Sequence, residues 1–190
     1  PAEKQKGTIH LTNISGATQA DGALGAGLSF SGVNTGRRRA LIASYQDGAD
    51  GDPTGLAFFT YGSLASSSDV VSERMRITAT GVAQFKAATQ ETKTAIAASA
   101  IDLSTGNYFT KTISGATTFT LSNVASSGLV SAFVLDLTNG GAAAVTWFSG
   151  VKWNAGTAPT LTASGRDVLA FFTHDGGTTW NAFVLGQAMA

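Results

Sequence analysis

The segment Arg166 to Gly186, RDVLAFFTHDGGTTWNAFVLG, constrains this chain more than any other. Two apolar runs, Val168 to Thr173 and Trp180 to Leu185, flank Asp175-Gly176-Gly177. A short glycine-containing connection between β-rich runs predicts a hairpin. Because side chains alternate along a strand, Val168, Ala170 and Phe172 share one face of the first arm, and Leu169 and Phe171 share the other. In the second arm Trp180, Ala182 and Val184 oppose Phe183 and Leu185. Both faces are apolar, whereas an antiparallel hairpin on a monomer surface keeps one polar face. Something must cover the second side, either another sheet or another copy of the chain. The run LVSAFVLDL has the same property, with Leu129, Phe133, Leu135 and Leu137 on one face and Val130, Ala132 and Val134 on the other. Packing of copies against each other is the economical explanation.

From Ala98 onward turn signals recur at short intervals: Ser104 to Asn107, Ser114-Gly115, Ser126 to Gly128, Asn139 to Gly141, Ser149-Gly150, Asn154 to Gly156 and Ser164-Gly165. Strands fit between them at Phe109 to Ile113, Thr117 to Leu121, Val145 to Phe148 and Leu161-Thr162. That spacing predicts a β-sandwich or jelly roll. The first half also reads as strands. Thr8 to Thr12 alternates with Ile9 and Leu11 on one face, glycines punctuate Ser15 to Gly36, and Ala40 to Ala43 and Leu56 to Tyr61 are apolar runs. Glu73 to Thr78 alternates, with Met75 and Ile77 inward and Arg74 and Arg76 outward. Residues 86–100, KAATQETKTAIAASA, shift toward Ala, Lys, Gln and Glu. We therefore expect an all-β chain of two β-rich domains, 1–88 and 98–190, with 89–97 as a linker that is extended or forms a short helix.

Composition removes several function classes. There is no cysteine among the 190 residues, so disulfides, thiolate metal sites and thiol catalysis are excluded. Net charge is zero and 13% of residues are charged, which argues against a nucleic-acid partner. No apolar run approaches the ~20 residues that span a bilayer, and no signal-peptide pattern opens the chain, so no membrane insertion is expected. The start at Pro1, without methionine, predicts a fragment or a chain that has lost its initiator. Residues 1–93 hold nine Lys/Arg and eight Asp/Glu, against three and four in 94–190. The second half is instead rich in Thr, Ser, Asn and Gly and carries all three tryptophans. Such a surface suits an uncharged polar partner such as a glycan, or is simply that of a Thr-rich β-protein with tryptophans in its core.

Catalysis finds little support. A serine triad would have to use His10 or His174, and no G-x-S-x-G elbow is present. Asp102, Asp136, Asp167 and Asp175 could supply the paired carboxylates of a glycosidase, but nothing in their spacing singles out a pair. No phosphate loop, dinucleotide fingerprint or metal-spaced histidine cluster occurs, so no cofactor or metal is expected and the chain reads as a structural or binding protein. Arg37, Arg38 and Arg39 face Asp47, Asp50 and Asp52 across one chain reversal, where mutual neutralisation competes with a calcium site.

The segment ERMRITATGVAQF (Glu73 to Phe85), preceded by GLAFFTYGSLASSSDVV, resembles a segment that recurs in phage tail fibres and related virion proteins. Leu103 to Asn123, Val151 to Trp180 and the ending AFVLGQAMA resemble the tip domain found at the end of such proteins. The resemblance implies an intertwined homotrimer in the virion, joined to other tail proteins, whose exposed end meets the host cell surface. No long repetitive shaft or virion-anchoring segment is evident, which fits a short fibre or a fragment. The reading is a tail-fibre or receptor-binding module that holds a host cell-surface polysaccharide without cleaving it. A capsid decoration or fibre-connecting protein is the alternative, and a tailspike-type glycan hydrolase a second. Aromatics beside turns are the candidate receptor-binding residues: Tyr108, Trp153 with Asn154, and His174-Asp175 at the hairpin tip. Trp147 and Trp180, inside strands, are expected in the core. For the Arg/Asp reversal we expect a calcium chelator to leave the thermal midpoint unchanged, since exposed ion pairs of this kind contribute only ~0–1 kcal/mol each. A fall of several degrees in a melting curve would reveal a metal site.

Overall fold

The computed structural model describes residues 9–13, 22, 24–32, 35–49, 54–61 and 71–189. The chain divides into two compact units, Pro1–Thr89 and Gln90–Ala190. Both are built from strands. Among the described residues, helix is confined to two three-residue 3-10 segments, Gly140–Ala142 and Asn154–Gly156. The chain is all-β.

The first unit is an antiparallel six-stranded sheet in sequence order: β1 (Ile9–Asn13), β2 (Leu24–Gly32), β3 (Thr35–Gln46), β4 (Thr54–Thr60), β5 (Ser72–Ile77) and β6 (Ala83–Phe85). On one face Leu41, Ala43, Tyr45 and Ala57 are buried. The Tyr45 ring lies across Gly55, where a Cβ would overlap it. Arg76 was expected to point to solvent, but its guanidinium sits 4.2 Å from the Tyr45 ring centroid and pairs with Glu73 at 2.5 Å. Arg76 pairs with the buried Ala57 and so shares the face of Tyr45, and a register shift brings Glu73 to it. Phe58 pairs with Met75 and Phe59 with Glu73, so Arg74 is an extra residue that turns Glu73 onto the face of Arg76. The opposite face carries a continuous cross-strand row of Leu28, Ile42, Phe58, Met75 and Phe85. Phe85 at the end of that row is 57% exposed. Of the Arg/Asp reversal, Asp47 accepts the Ala79 N–H at 2.9 Å and so ties the β5–β6 turn. Asp50, Asp52 and the side chains of Arg37, Arg38 and Arg39 lie outside the described residues.

The second unit contains β7 (Thr94–Ala95), β8 (Ala100–Asp102), β9 (Tyr108–Thr112), β10 (Thr117–Thr118), β11 (Thr120–Ser122), β12 (Ser131–Thr138), β13 (Val145–Thr146), β14 (Val151–Trp153), β15 (Arg166–Thr173) and β16 (Trp180–Met189). Six of these form a mixed sheet in the order β14-β16-β15-β12-β9-β7. Two parallel ribbons, β10-β13 and β8-β11, supply the second layer. Thr94 and Ala95, expected in a linker, pair with Phe109 and Thr110 and belong to the sheet. The expected strand at Leu161-Thr162 is a loop. Thr162 gives its backbone N–H and its hydroxyl to the fully buried Asp167 carboxylate, at 2.6 and 2.7 Å, instead of to a neighbouring strand.

The hairpin and β12 are two-sided as their patterns require. Leu169 and Phe171 of β15, Phe133, Leu135 and Leu137 of β12, and Trp180 and Ala182 of β16 are buried on the inner face against Ile101, Phe119 and Phe148. The outer face carries Ala132, Val134, Val168, Ala170, Phe172 and Phe183. There the rings of Phe172 and Phe183 stack at 5.9 Å and stay 38% and 42% exposed. Trp180 is 1% exposed between Phe133 and Phe148. We expect Trp180→Ala to destabilise the C-terminal unit by about 3–5 kcal/mol as a large core truncation. A denaturant titration with an unchanged midpoint would contradict that placement.

Candidate functional site

The C-terminal unit carries two concave surfaces, each built from several strands. The first is a cleft of about 420 Å³ beside the β15–β16 turn. Its walls are Phe119, Trp147, Phe148 and Trp180, its rim carries Thr118, Thr120 and Ser149, and the backbone of Gly176 and Gly177 closes one end. Phe119, Phe148 and Trp180 are buried, which leaves Trp147 as the half-exposed aromatic of the cleft. Trp147 is held by neighbouring rings. It stacks on Phe119 at 5.8 Å and meets Trp153 edge-on at 5.1 Å. A fixed aromatic framed by hydroxyls is the arrangement that grips the apolar side of a sugar ring while its hydroxyls find partners.

The turn beside this cleft is shaped by Asp175. Its carboxylate accepts the Thr179 N–H at 3.0 Å and the Thr173 hydroxyl at 2.8 Å, while the Thr173 oxygen accepts the Gly177 N–H at 3.2 Å. Gly176 and Gly177 follow at φ of 75° and 85°, the left-handed region where a side chain would be strained. These hydrogen bonds, the Thr179 N–H foremost, lower the Asp175 carboxyl to about 2. Asp175 is thus engaged in holding the turn, and the neighbouring His174 is exposed.

The second concavity is a hollow of about 790 Å³ on the outer sheet face, at the end occupied by β7 and β9. Asp136 of β12 lies in it and is 8% exposed. Arg166, opposite the neighbouring Thr138 in the pairing of β12 with β15, donates to it twice, Nε to Oδ1 at 3.1 Å and Nη2 to Oδ2 at 2.6 Å. Tyr108 of β9 donates its hydroxyl to Oδ2 at 3.0 Å. The Arg166 hydrogen bonds keep the Asp136 carboxyl below its ordinary range, with the Tyr108 hydroxyl and the charge of Lys93 acting the same way. Burial, then the hydrogen bond to Asp136, raises Tyr108.

The five candidate receptor residues do not converge. Tyr108 is in the charged hollow, and Asn154 is exposed at the far edge of the sheet. β9 and β14 stand four strand steps apart in the sheet order, roughly 19 Å. Trp153, expected on the surface beside its turn, faces inward and packs on Trp147 and Phe171. Its alternation along β14, paired in register with the buried Trp180 and Ala182, sends Trp153 to the core side. Trp147, expected in the core, packs against it as Trp153 does, and also lines the cleft. The Asp136–Arg166 pair, 30 residues apart, had one sequence signal: Asp136 is the sole charge in the apolar run LVSAFVLDL.

Among the described residues no group of three or more His, Asp or Glu is placed to hold a metal ion. Compared with known proteins, the chain matches no family model, no curated protein and no solved structure.

Asp175 and Asp136 both have lowered folded-state values against an unfolded value of ~3.9. Each therefore contributes stability above pH ~4 that is lost as pH falls through the folded value, for Asp175 between ~4 and about 2. We expect thermal stability to be level from neutrality to about pH 4 and to fall below it. Asp175→Asn should flatten that acid limb, and an acid limb as steep as the wild-type one would contradict the role given to its carboxylate.

Proposed function

We propose that this chain is a non-enzymatic phage virion protein, a tail-fibre or receptor-binding module, which holds a host cell-surface glycan through its C-terminal β-sandwich and works as an intertwined homotrimer. The cleft of Trp147 carries this reading. It offers one half-exposed aromatic and hydroxyls from Thr118, Thr120 and Ser149, and none of its lining residues is a carboxylate. The resemblance of residues 73–85, 103–123 and 151–180 to tail-fibre segments points the same way.

Assembly is supported by the outer sheet faces. In the C-terminal unit the exposed rings of Phe172 and Phe183 lie on a face that also carries Val134, Val168 and Ala170. In the N-terminal unit the row from Leu28 to Phe85 is similarly apolar. Contiguous apolar surfaces of this kind are normally covered by another chain, and copies related by a closed symmetry cover each other's.

Two measurements test the proposal. Light scattering should give three times the single-chain mass of 19.3 kDa, and a monomer mass at micromolar concentration would refute the trimer. An array of bacterial surface polysaccharides should show binding without release of reducing ends. Trp147→Ala should weaken that binding about tenfold, and Thr120→Arg, which fills the cleft from an exposed position, should abolish it. Full binding by a folded Thr120→Arg variant would remove the cleft from the receptor site. Absence of any glycan binding, with the protein located on the capsid by labelled antibody, would make it a decoration or connecting protein instead.

A further inference from the structure

The charged hollow is a different surface from the aromatic cleft and asks for a different ligand. The C-terminal unit, residues 90–190, holds four cationic side chains, Lys93, Lys111, Lys152 and Arg166. Three of these four line the one hollow. A lone carboxylate, Asp136, lies among them, so the hollow carries an excess of two positive charges in a unit whose own count is four cations against five carboxylates. This concentration is not needed to neutralise Asp136. Arg166 already neutralises that side chain through two charge-assisted hydrogen bonds, and Tyr108 adds a third. Among the described residues Lys111 makes one hydrogen bond, its ammonium to the Ala97 carbonyl at 3.3 Å, and the Lys93 side chain is exposed.

Arg166 is held in a way that presents its charge. Of the five N–H donors of a guanidinium, two are committed to Asp136, which leaves three, and the side chain is 44% exposed. Asp136 thus acts as a brace that fixes the guanidinium plane for a planar, bidentate acceptor. The floor between the cations is hydroxylic: Thr110, Thr112 and Thr138 all open into the hollow. A braced arginine and two lysines over a threonine floor match a pyranose that bears a carboxylate, the charge going to the cations and the ring hydroxyls to the threonines.

We propose that this hollow binds the carboxylate of an acidic saccharide, a uronate or similar carboxylated sugar. The site stands on its own residues and does not depend on the cleft of Trp147. It adjoins the apolar face proposed for assembly at Val134 and Val168, which pair with Tyr108 and Asp136, and lies away from the exposed rings of that face. Arg166 opens β15 and Phe172 lies six residues along it, roughly 20 Å away.

Calorimetry on the full chain tests this with a glucuronate-containing hexasaccharide and the same hexasaccharide with its carboxyls reduced to hydroxymethyl groups. The acidic form should bind, with affinity falling as salt is raised, and the reduced form should bind at least tenfold more weakly. Lys93→Gln combined with Lys111→Gln should lower affinity for the acidic form about tenfold, whereas Lys152→Gln, outside the hollow, should leave it unchanged. Equal binding of both hexasaccharides, no binding of the acidic one at millimolar concentration, or wild-type affinity in the double variant would overturn the site. Displacement by an equal concentration of inorganic phosphate would also overturn it, by showing a general anion site. Thr120→Arg separates the two surfaces: it should block the aromatic cleft and leave the acidic hexasaccharide bound, and loss of both would place the acidic sugar in the cleft.

Discussion

The contact on which the C-terminal unit depends is the stack of Phe133 on Phe171, with ring centroids 5.0 Å apart and planes 16° from parallel. It joins the middle strands β12 and β15 across directly paired positions. Phe171 also touches Trp147, Phe148 and Trp153, and Phe133 also touches Phe109, Phe148 and Trp180. Every ring of the cleft therefore rests, directly or through one neighbour, on that pair. Trp147, the aromatic proposed to carry a sugar, is thus supported by the core rather than by a loop.

The same alternation that builds this core creates the opposite surface. A strand that puts Leu169 and Phe171 inside must put Val168, Ala170 and Phe172 outside. The apolar residues on that side are what supports the proposed assembly. The outer face divides into an apolar part around Phe172 and Phe183 and a charged part around Asp136 and Arg166. The two parts meet at Val134 and Val168, which pair with Tyr108 and Asp136, and their far ends, Phe172 and Arg166, are roughly 20 Å apart along β15.

The sequence pattern made much of this legible. Period-two alternation in residues 166–186 and 129–137 located the central strands, and it correctly required two apolar faces there. Turn chemistry at Asp175-Gly176-Gly177 located the hairpin. What alternation cannot convey is which strands become neighbours. In the C-terminal unit β9 pairs with β12, β7 with β9, β14 with β16, β8 with β11 and β10 with β13, all in parallel. Parallel partners are set by how the chain crosses over, not by a local turn. The site misreadings follow from this. Trp153 looked like a loop residue until its pairing with β16 fixed its face, and alternation could not show that Trp147, packed against the core, also lines a cleft beside β10 and β11. Arg76 went astray because its pairing with the buried Ala57 puts it on the face of Tyr45, and the alternation within β5 does not say which of its faces meets that ring. Asp136 and Arg166 meet only because β12 and β15 lie side by side.

The central claim is that one face of the C-terminal sheet is finished by its own unit and the other by further copies of the chain. Hydroxyl-radical footprinting at micromolar concentration, read by mass spectrometry at single residues, tests this most directly. The account predicts that Phe172 and Phe183 are protected well beyond their 38% and 42% exposure in the single chain, while Trp147 is oxidised readily. Oxidation of Phe172 and Phe183 at the rates their single-chain exposure implies would contradict it.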